Sequence, residues 1–418
     1  MKFVLAAIAA IFFAADVLAK DHLPQFASQG DVVQGVMRGL IEKRTDHFDL
    51  YSKDSSFKPN IKNRLILDLN ADRNYQATNR RNEFSDTSVN ARFFSTFNLS
   101  RNFFVNSFLR LQEARQISEA QRRAMTPDGG GNRSFENHGL AFEELVLAFD
   151  SKHFAAIAGK FNPNYGVAWR QGRGIWNHQI SELYRQQEKL GFSTILRAGS
   201  AKKTGEYDFG FSVFTNDRKN LDNSIITKRD SDSKRDAKPG DTRALTSYVT
   251  SLDVEFDFAE KEKLTYHFAY MNLAVNERVS QVSQNKIDDQ KGFVASMNYK
   301  YPLSENFVLD GLVEFNDTRN LNENSDVSEK YLIGSLVTKI YKNWNTTFGY
   351  SSLQNIGANA YGFDQNLSEI SFGYDFDKTI LFDRLTAQLG YRNRRLNYKT
   401  SLETENSAGV LLRYYKAF

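Results

Sequence analysis

The amino-acid sequence predicts an all-β fold, a transmembrane antiparallel up-and-down β-barrel of about 16 strands. Three features predict it: an N-terminal export signal, an alternating strand at the end of the chain, and a succession of short turns and long polar links. The mean hydropathy of −0.52 is compatible with this fold, because the lipid-facing residues of a barrel alternate with polar ones.

Residues 1–19 are predicted to be a signal peptide, with Lys2 before an apolar run from Phe3 to Ala15 and cleavage after Ala19. The run is too short for a spanning helix. The alternative, an amphipathic helix of a cytosolic protein, would need a polar face that the run lacks. Residues 20–60 are predicted to be a periplasmic leader with a short helix, or else a partial plug or assembly contact. Its apolar residues have helical spacing: Val32, Val33, Val36, Met37, Leu40 and Ile41.

Strict alternation of apolar and polar residues predicts the strands of a barrel that covers residues 61–418. The clearest strand has Tyr248, Thr250, Leu252, Val254, Phe256 and Phe258 on one face. In the last strand, Val410, Leu412, Tyr414 and Phe418 share one face, and Leu411, Arg413 and Tyr415 share the other. A soluble sandwich also alternates, but its strands are usually fewer and shorter.

The connections alternate in length, as they do in membrane barrels with short periplasmic turns and long outer loops. Short turns are predicted at 99–102, 150–153, 199–205, 259–263, 302–306, 341–343 and 377–381. Long links are predicted near 76–87, 113–138, 163–187, 217–243, 275–290, 318–328, 353–367 and 395–405. Both ends of the barrel therefore lie on the periplasmic side.

The terminal Phe418 after alternating apolar residues resembles the C-terminus of bacterial outer-membrane porins. The stretch A-G-K-F-N-P-N-Y-G at 158–166 also resembles the strand-to-loop passage of the phosphate-selective porin family. The resemblance implies a homotrimer in the outer membrane of a Gram-negative bacterium, with the third long loop folded into the lumen. The implied constriction is formed by Lys160, Arg170, Arg173, His178 and Arg185, and Trp169, Ile175 and Trp176 would hold the loop against the wall.

Charged residues on the predicted inward faces fall into two groups. A basic wall is expected from Arg92, Arg110, Arg392 and Arg413, and an acidic wall on the far side from Asp253, Glu255, Asp310 and Glu314. Opposed walls would create a transverse field that filters solutes by charge. The alternative is that these charges only reflect the polar interior common to barrels.

No signature of catalysis is present. The chain has no Cys, its six His are dispersed, and it lacks metal-binding, nucleophile-elbow and phosphate-loop motifs. No cofactor, catalytic residue, metal site or nucleic-acid partner is expected. The predicted function is passive diffusion of small hydrophilic solutes, with mild anion preference, through a channel in outer-membrane lipid. A substrate-specific channel for phosphate or another anionic solute, and a plugged surface receptor or adhesin, remain alternatives.

Overall fold

The computed structural model describes residues 57–113, 133–135, 138–216, 239–242, 244–259, 262–276, 287–341, 343–357, 363–398 and 401–418. The predicted signal peptide and nearly all of the predicted leader lie outside these residues. Most of the predicted link at 217–243 does as well.

Most of the described chain is β-strand. The strands are β1 (Asn60–Ala77), β2 (Ser85–Asn98), β3 (Phe103–Glu113), β4 (Arg133–Ser134), β5 (His138–Asp150), β6 (Phe154–Phe161), β7 (Lys189–Ser200), β8 (Gly205–Asn216), β9 (Ser247–Ala259), β10 (Glu262–Leu273), β11 (Gln290–Ser304), β12 (Phe307–Arg319), β13 (Val327–Ile340), β14 (Trp344–Gly357), β15 (Phe363–Phe376), β16 (Arg384–Tyr398) and β17 (Ser401–Ala417). Two one-turn helices, α1 (Ala168–Gln171) and α2 (His178–Ser181), lie between β6 and β7. Among the described residues, no helix is long and apolar enough to cross a membrane.

The strands form one closed antiparallel barrel. The two-residue β4 pairs in parallel with β2 alone, and the other 16 strands form the wall. The barrel closes where β1 pairs with both β2 and β17. Phe418 continues this seam, because its backbone N–H donates to Asn63 O and its carbonyl accepts from Asn63 N–H, at 3.0 and 2.8 Å. Within the described residues, each of the 16 wall strands has a neighbour on both sides, so the sheet has no open edge strand of the kind that lipid excludes.

The two faces of the wall follow the predicted alternation. On β9, Leu252 is 36% exposed, whereas Val249 is 1% exposed and Ser251 is 3% exposed. Phe268, which stands directly opposite Leu252 on β10, is 40% exposed. The predicted outward and inward parities are therefore confirmed on these strands, and the fold class is confirmed with them.

All seven predicted short turns lie between consecutive strands, but several long links are shorter than predicted. β16 continues to Tyr398 and β17 begins at Ser401, so most of the predicted link at 395–405 is strand. β14 and β15 likewise extend into the predicted link at 353–367. These extensions cannot be predicted from alternation. A strand beyond the lipid continues its backbone hydrogen bonds but needs no apolar face.

Because Leu252 lies mid-strand on the outward face, an arginine there should destabilise the barrel. We expect Leu252→Arg to lower the free energy of unfolding in lipid vesicles by about 2–4 kcal/mol, measured by urea titration. Phe258→Arg is the depth control, since Phe258 is also exposed but lies near the turn end of β9. Its cost should be at most about 1 kcal/mol. Equal costs at the two positions would contradict the assigned membrane depth.

Candidate functional site: the third loop and the arginine pocket

Residues 162–188 connect β6 to β7, and we refer to them as the third loop. Despite its polar sequence, this segment is among the most buried parts of the protein; Trp176 is 1% exposed and Tyr165 is fully buried. Trp169, Ile175 and Tyr184 are buried as well. Trp169, Ile175 and Trp176, which were expected to hold the loop against the wall, are therefore packed and not exposed to solvent.

The apolar side chains of the third loop share one cluster with the barrel wall. The loop contributes Tyr165, Val167, Ala168, Ile175, Trp176, Ile180 and Tyr184. Wall residues of this cluster come from strands between β8 and β17, among them Val249, Ile333 and Leu411. Burial of this apolar surface stabilises the loop against the wall.

Two carboxylates of the wall accept hydrogen bonds from the backbone of the third loop. Glu314 on β12 accepts from the N–H groups of Val167 and Ala168 at 2.6 and 3.2 Å, and from the Tyr184 hydroxyl. Val167 caps α1 and Ala168 is its first residue, where the N–H groups lack partners within the helix. A carboxylate there also interacts favourably with the helix dipole. Glu314, predicted to belong to an acidic wall, is therefore used as a loop anchor.

Glu369 on β15 is the second anchor. It accepts from the N–H groups of Ile175 and Trp176 at 2.6 and 2.8 Å. Gly174 precedes these residues with a φ of +102°, and a Cβ at this position would collide with the Glu369 carboxylate. Glycine therefore permits both the backbone conformation and the close approach.

Trp176 lies against the seam where the barrel closes. Its indole N–H donates to Asp72 on β1 at 3.2 Å, and a side chain at Gly409 on β17 would collide with its ring. The Arg392 guanidinium lies 5.3 Å from the ring centroid, a cation–π distance. Arg392 also donates to Gln179 of the third loop at 2.9 Å. Arg392, predicted to belong to the basic wall, thus contacts the loop.

A pocket of about 100 Å³ lies between the third loop and the wall formed by β1, β2, β3 and β17. Five arginines line it, three from the wall and two from the loop, against two carboxylates, Asp68 and Glu182. The arginines are Arg92, Arg110, Arg170, Arg185 and Arg413. The pocket therefore carries an excess of positive charge, and we call it the arginine pocket.

Each wall carboxylate next to the arginine pocket is shared by two arginines. Asp68 pairs with Arg92 and accepts from the Nε and Nη2 atoms of Arg413 at 2.6 and 2.9 Å. Glu143 on β5 pairs with Arg185 of the loop and accepts from Arg110 at 3.2 Å. One carboxylate cannot neutralise two guanidinium groups, so the group around Asp68 retains a positive charge. In the group around Glu143, Arg110 also pairs with Glu182 of the loop at 3.7 Å.

His178 begins α2 and lines the arginine pocket, half-buried. Burial lowers the pKa of His178 below its ordinary value, and Arg413, Arg110 and Arg92 lower it further against the opposing effect of Glu182. His178 is therefore neutral at neutral pH.

The remaining predicted residues lie outside the arginine pocket. Lys160 is buried in an ion pair with Glu188 at 2.9 Å, and Arg173 pairs with Asp310 at 3.0 Å. The structure thus brings Arg170, Arg185 and His178 together with three basic-wall arginines, but it separates them from Lys160 and Arg173.

Two further members of the predicted acidic wall have partners of their own. Asp253 accepts from Asn164 of the third loop at 2.8 Å and contacts His267 Nδ1 at 2.9 Å. Glu255 pairs with Lys263 on the neighbouring strand at 2.5 Å. Asp253, like Asp310 and Glu314, therefore contacts the loop, and Glu255 pairs within the wall.

Four carboxylates that bind the third loop or the arginines were not predicted from the sequence: Asp68, Asp72, Glu143 and Glu369. Each occupies an inward position of a strand, and this parity was the available signal. Glu369 lies between Leu367 and Ser371 on the face that is buried in β15. Their partners come from distant parts of the chain, so alternation alone could not assign their roles.

Among the described residues, no group of three or more His, Cys, Asp or Glu side chains is placed to hold a metal ion.

No protein-family model and no curated protein sequence matches the chain. Among solved structures, the anion-selective porin from Comamonas acidovorans gives a TM-score of 0.50 at 11% identity, covering 86% of this chain and 100% of that one. The outer membrane channel DcaP of Acinetobacter baumannii gives 0.48 at 10% identity, covering 86% and 97%. OccAB3 of the same bacterium gives 0.46 at 10% identity, covering 86% and 100%. The likeness to the Comamonas protein shows the fold alone, a closed antiparallel β-barrel.

Replacing both loop anchors should loosen the third loop. In Glu314→Ala/Glu369→Ala, four backbone N–H groups lose a charged acceptor, and each such bond contributes about 1.5–3 kcal/mol. We expect faster proteolysis within residues 162–188 than in the native protein. Glu305→Ala, in the exposed turn after β11, is the control and should behave like the native protein. Native-like proteolysis of the double variant would show that apolar packing alone holds the loop.

Proposed function

We propose that the protein is an outer-membrane porin, a passive diffusion channel for small hydrophilic solutes with mild anion preference. The observation that carries this proposal is the arginine pocket between the third loop and the wall of a porin-type barrel. Such a channel requires no cofactor and no catalytic group. Its selectivity arises from pore width and from the field at the narrowest part.

In this proposal the third loop folds across the lumen and narrows it. The support comes from the distribution of its partners around the closed barrel: Asp72 on β1, Asp253 on β9, Glu314 on β12 and Glu369 on β15. These strands lie on different sides of the ring, and their contacting residues share the inward parity. Bonds from one segment to all of these strands support a path of the loop across the interior.

The arginine pocket would act as the selective part of this constriction. Guanidinium groups pair well with carboxylate and phosphate oxygens, and here several of them converge in an enclosed, weakly screened space. An arriving anion would compete with Asp68 and Glu143 for guanidinium groups. Weak contacts of this kind, shared among several sites, let a solute enter and leave.

The same pocket favours one second candidate, a channel specific for phosphate or another anionic solute. Its small volume and five arginines would hold a compact anion better than an open, polar lumen would. The two functions differ in their kinetics. A specific channel saturates at low anion concentration, whereas a general porin conducts in proportion to concentration.

Export by the predicted signal peptide, residence in outer-membrane lipid and assembly as a homotrimer belong to the same proposal. They are supported by the apolar segment at residues 3–15 and by the exposed apolar side chains of the wall, such as Phe192, Phe293 and Phe372. A wall of this kind can pack against lipid and against neighbouring barrels.

Removing the two loop arginines of the pocket should reduce the preference for anions. We expect Arg170→Ser/Arg185→Ser to lower the chloride-to-potassium permeability ratio by roughly twofold or more, because the local field weakens. The measurement is the reversal potential in a planar bilayer under a KCl gradient. Arg319→Ser is the control, since the side chain of Arg319 is 73% exposed at the end of β12. If the permeability ratio of the double variant equals that of the native protein, the arginine pocket does not determine the selectivity.

Acidification should increase the preference for anions through His178. Burial lowers its pKa, so the imidazole is neutral at pH 7 and gains its charge only below the ordinary value of about 6.5. The permeability ratio for chloride should therefore rise as the pH falls through the range below 6.5 in the native protein. In His178→Gln, the part of this rise that His178 causes should disappear. If the native protein and His178→Gln have identical pH profiles, His178 does not lie on the conducting path.

A further inference from the structure

The short connection between β15 and β16, residues 377–383, lies against the outer face of the barrel, and we call it the outer flap. The Tyr414 hydroxyl donates to the Leu381 carbonyl at 2.6 Å, and Lys416 Nζ donates to the Ile380 carbonyl at 2.9 Å. Tyr414 and Lys416 have the parity opposite to that of the β17 residues that line the arginine pocket. The outer flap is therefore bonded to the outer side of the strand that closes the barrel.

The wall at the base of the outer flap is covered. Phe376 and Leu385 pair across the hairpin and have the outward parity of β15 and β16, yet each is only 8% exposed. Farther along the same faces, Phe372 is 55% exposed and Leu389 is 60% exposed. The burial at the base and the two hydrogen bonds to β17 show that the flap folds back over the outer wall and not over the channel mouth.

Thr379 fixes the shape of the outer flap. Its Oγ1 accepts from the N–H groups of Leu381 and Phe382 at 3.2 and 3.3 Å, and its own N–H donates to the Phe382 carbonyl at 2.9 Å. Asp383 joins the flap to the end of β17, because its carboxylate accepts from the Ala417 N–H at 2.8 Å. A turn with these bonds has a defined conformation and presents the same side chains outward.

The outer flap leaves two large apolar side chains uncovered. Ile380 is 94% exposed and Leu381 is 75% exposed, and no other large apolar side chain of the described residues exceeds 64%. Apolar surface left in water is unfavourable. An adjacent exposed pair on an ordered turn therefore indicates an interaction surface.

The position of the outer flap favours lipid as the partner. The rings of Trp344 and Tyr374 contact each other on the outer face of β14 and β15, with their centroids 4.8 Å apart. Aromatic side chains of membrane barrels lie at the level of the lipid headgroups. Tyr374 is only three residues before the flap, so the flap begins at this level.

The composition of the outer flap fits the same boundary. The side chain of Lys378 is 63% exposed beside the apolar pair, and Lys416 lies below it. Long cationic side chains reach headgroups while their apolar neighbours enter the hydrocarbon. A second barrel is a poorer partner, because two aliphatic side chains offer far less than the roughly 800 Å² per partner that a stable protein interface buries.

We propose that Ile380 and Leu381 insert into the lipid at the headgroup boundary and hold the closing strand β17 at a fixed depth. The bonds from Tyr414 and Lys416 transmit this anchoring to β17. The inference rests on the proposed residence of the barrel in outer-membrane lipid, and it is independent of the proposed ion preference.

The absence of native cysteine allows one fluorescent label to be placed at Ile380→Cys in the full chain. The refolded protein in phosphatidylcholine vesicles is exposed to two quenchers, lipid brominated near the headgroup and aqueous iodide. We expect brominated lipid to remove about half of the fluorescence or more, and iodide to quench weakly, because an inserted tip lies roughly 5–10 Å below the surface. Lys202→Cys, at the exposed tip of another short turn, is the control and should respond to iodide only.

Labels at Phe192→Cys and Phe372→Cys, on opposite sides of the ring of strands, report whether the wall itself is in lipid. If brominated lipid quenches them but not Ile380→Cys, the barrel is in lipid and the outer flap is not, which overturns this inference alone. If it quenches neither wall label, the residence in lipid fails as well. Protection of Ile380→Cys from both quenchers would mean that another barrel covers the flap, and this too overturns the inference.

A second substitution tests the role of the apolar pair. In the labelled Ile380→Cys protein, Leu381→Asp should shift quenching from brominated lipid to iodide, because a carboxylate is unfavourable in an apolar environment. Leu381→Met is the matched control and should keep the label in lipid. Equal quenching in the Asp and Met variants would overturn insertion through this pair.

Discussion

The capture of the third loop by two carboxylates of the barrel wall is the constraint on which the rest of the site depends. A loop of 27 residues with large aromatic side chains needs both apolar contact and partners for its backbone groups. Glu314 and Glu369 accept hydrogen bonds from four of its N–H groups, two at the start of α1 and two shortly before α2. The positions of Arg170, His178 and Arg185 follow from this arrangement, because these residues lie between or just after the two anchored segments.

The charges of the interior are arranged by the same loop. The sequence predicted a basic wall that faces an acidic wall across the lumen. In the structure, acids on the far side, such as Asp310 and Glu314, contact the loop, whereas the basic wall retains an excess of arginine over carboxylate. Acids that are already bonded to the loop contribute less to a transverse field. The positive potential of the arginine pocket therefore dominates the proposed selectivity.

The fold was predictable from the sequence because a lipid-facing strand has to alternate, as β9 does around Leu252. The alternation also predicted the inward parity of Arg92 and Arg413. It could not predict that Asp68 joins these two arginines, since the three residues lie on β1, β2 and β17 and meet only when the barrel closes. Strand ends beyond the lipid, such as the end of β16 at Tyr398, were not predicted for a related reason. There the backbone ladder continues, but no apolar face marks it.

Conduction of ions through a basic constriction can be measured on the native protein itself. The purified chain is refolded, inserted into a planar bilayer and examined at the single-channel level under a KCl gradient. We expect stepwise currents and a reversal potential that favours chloride. A potential that favours potassium would contradict the role of the arginine pocket, and absence of current from folded protein would contradict the channel itself.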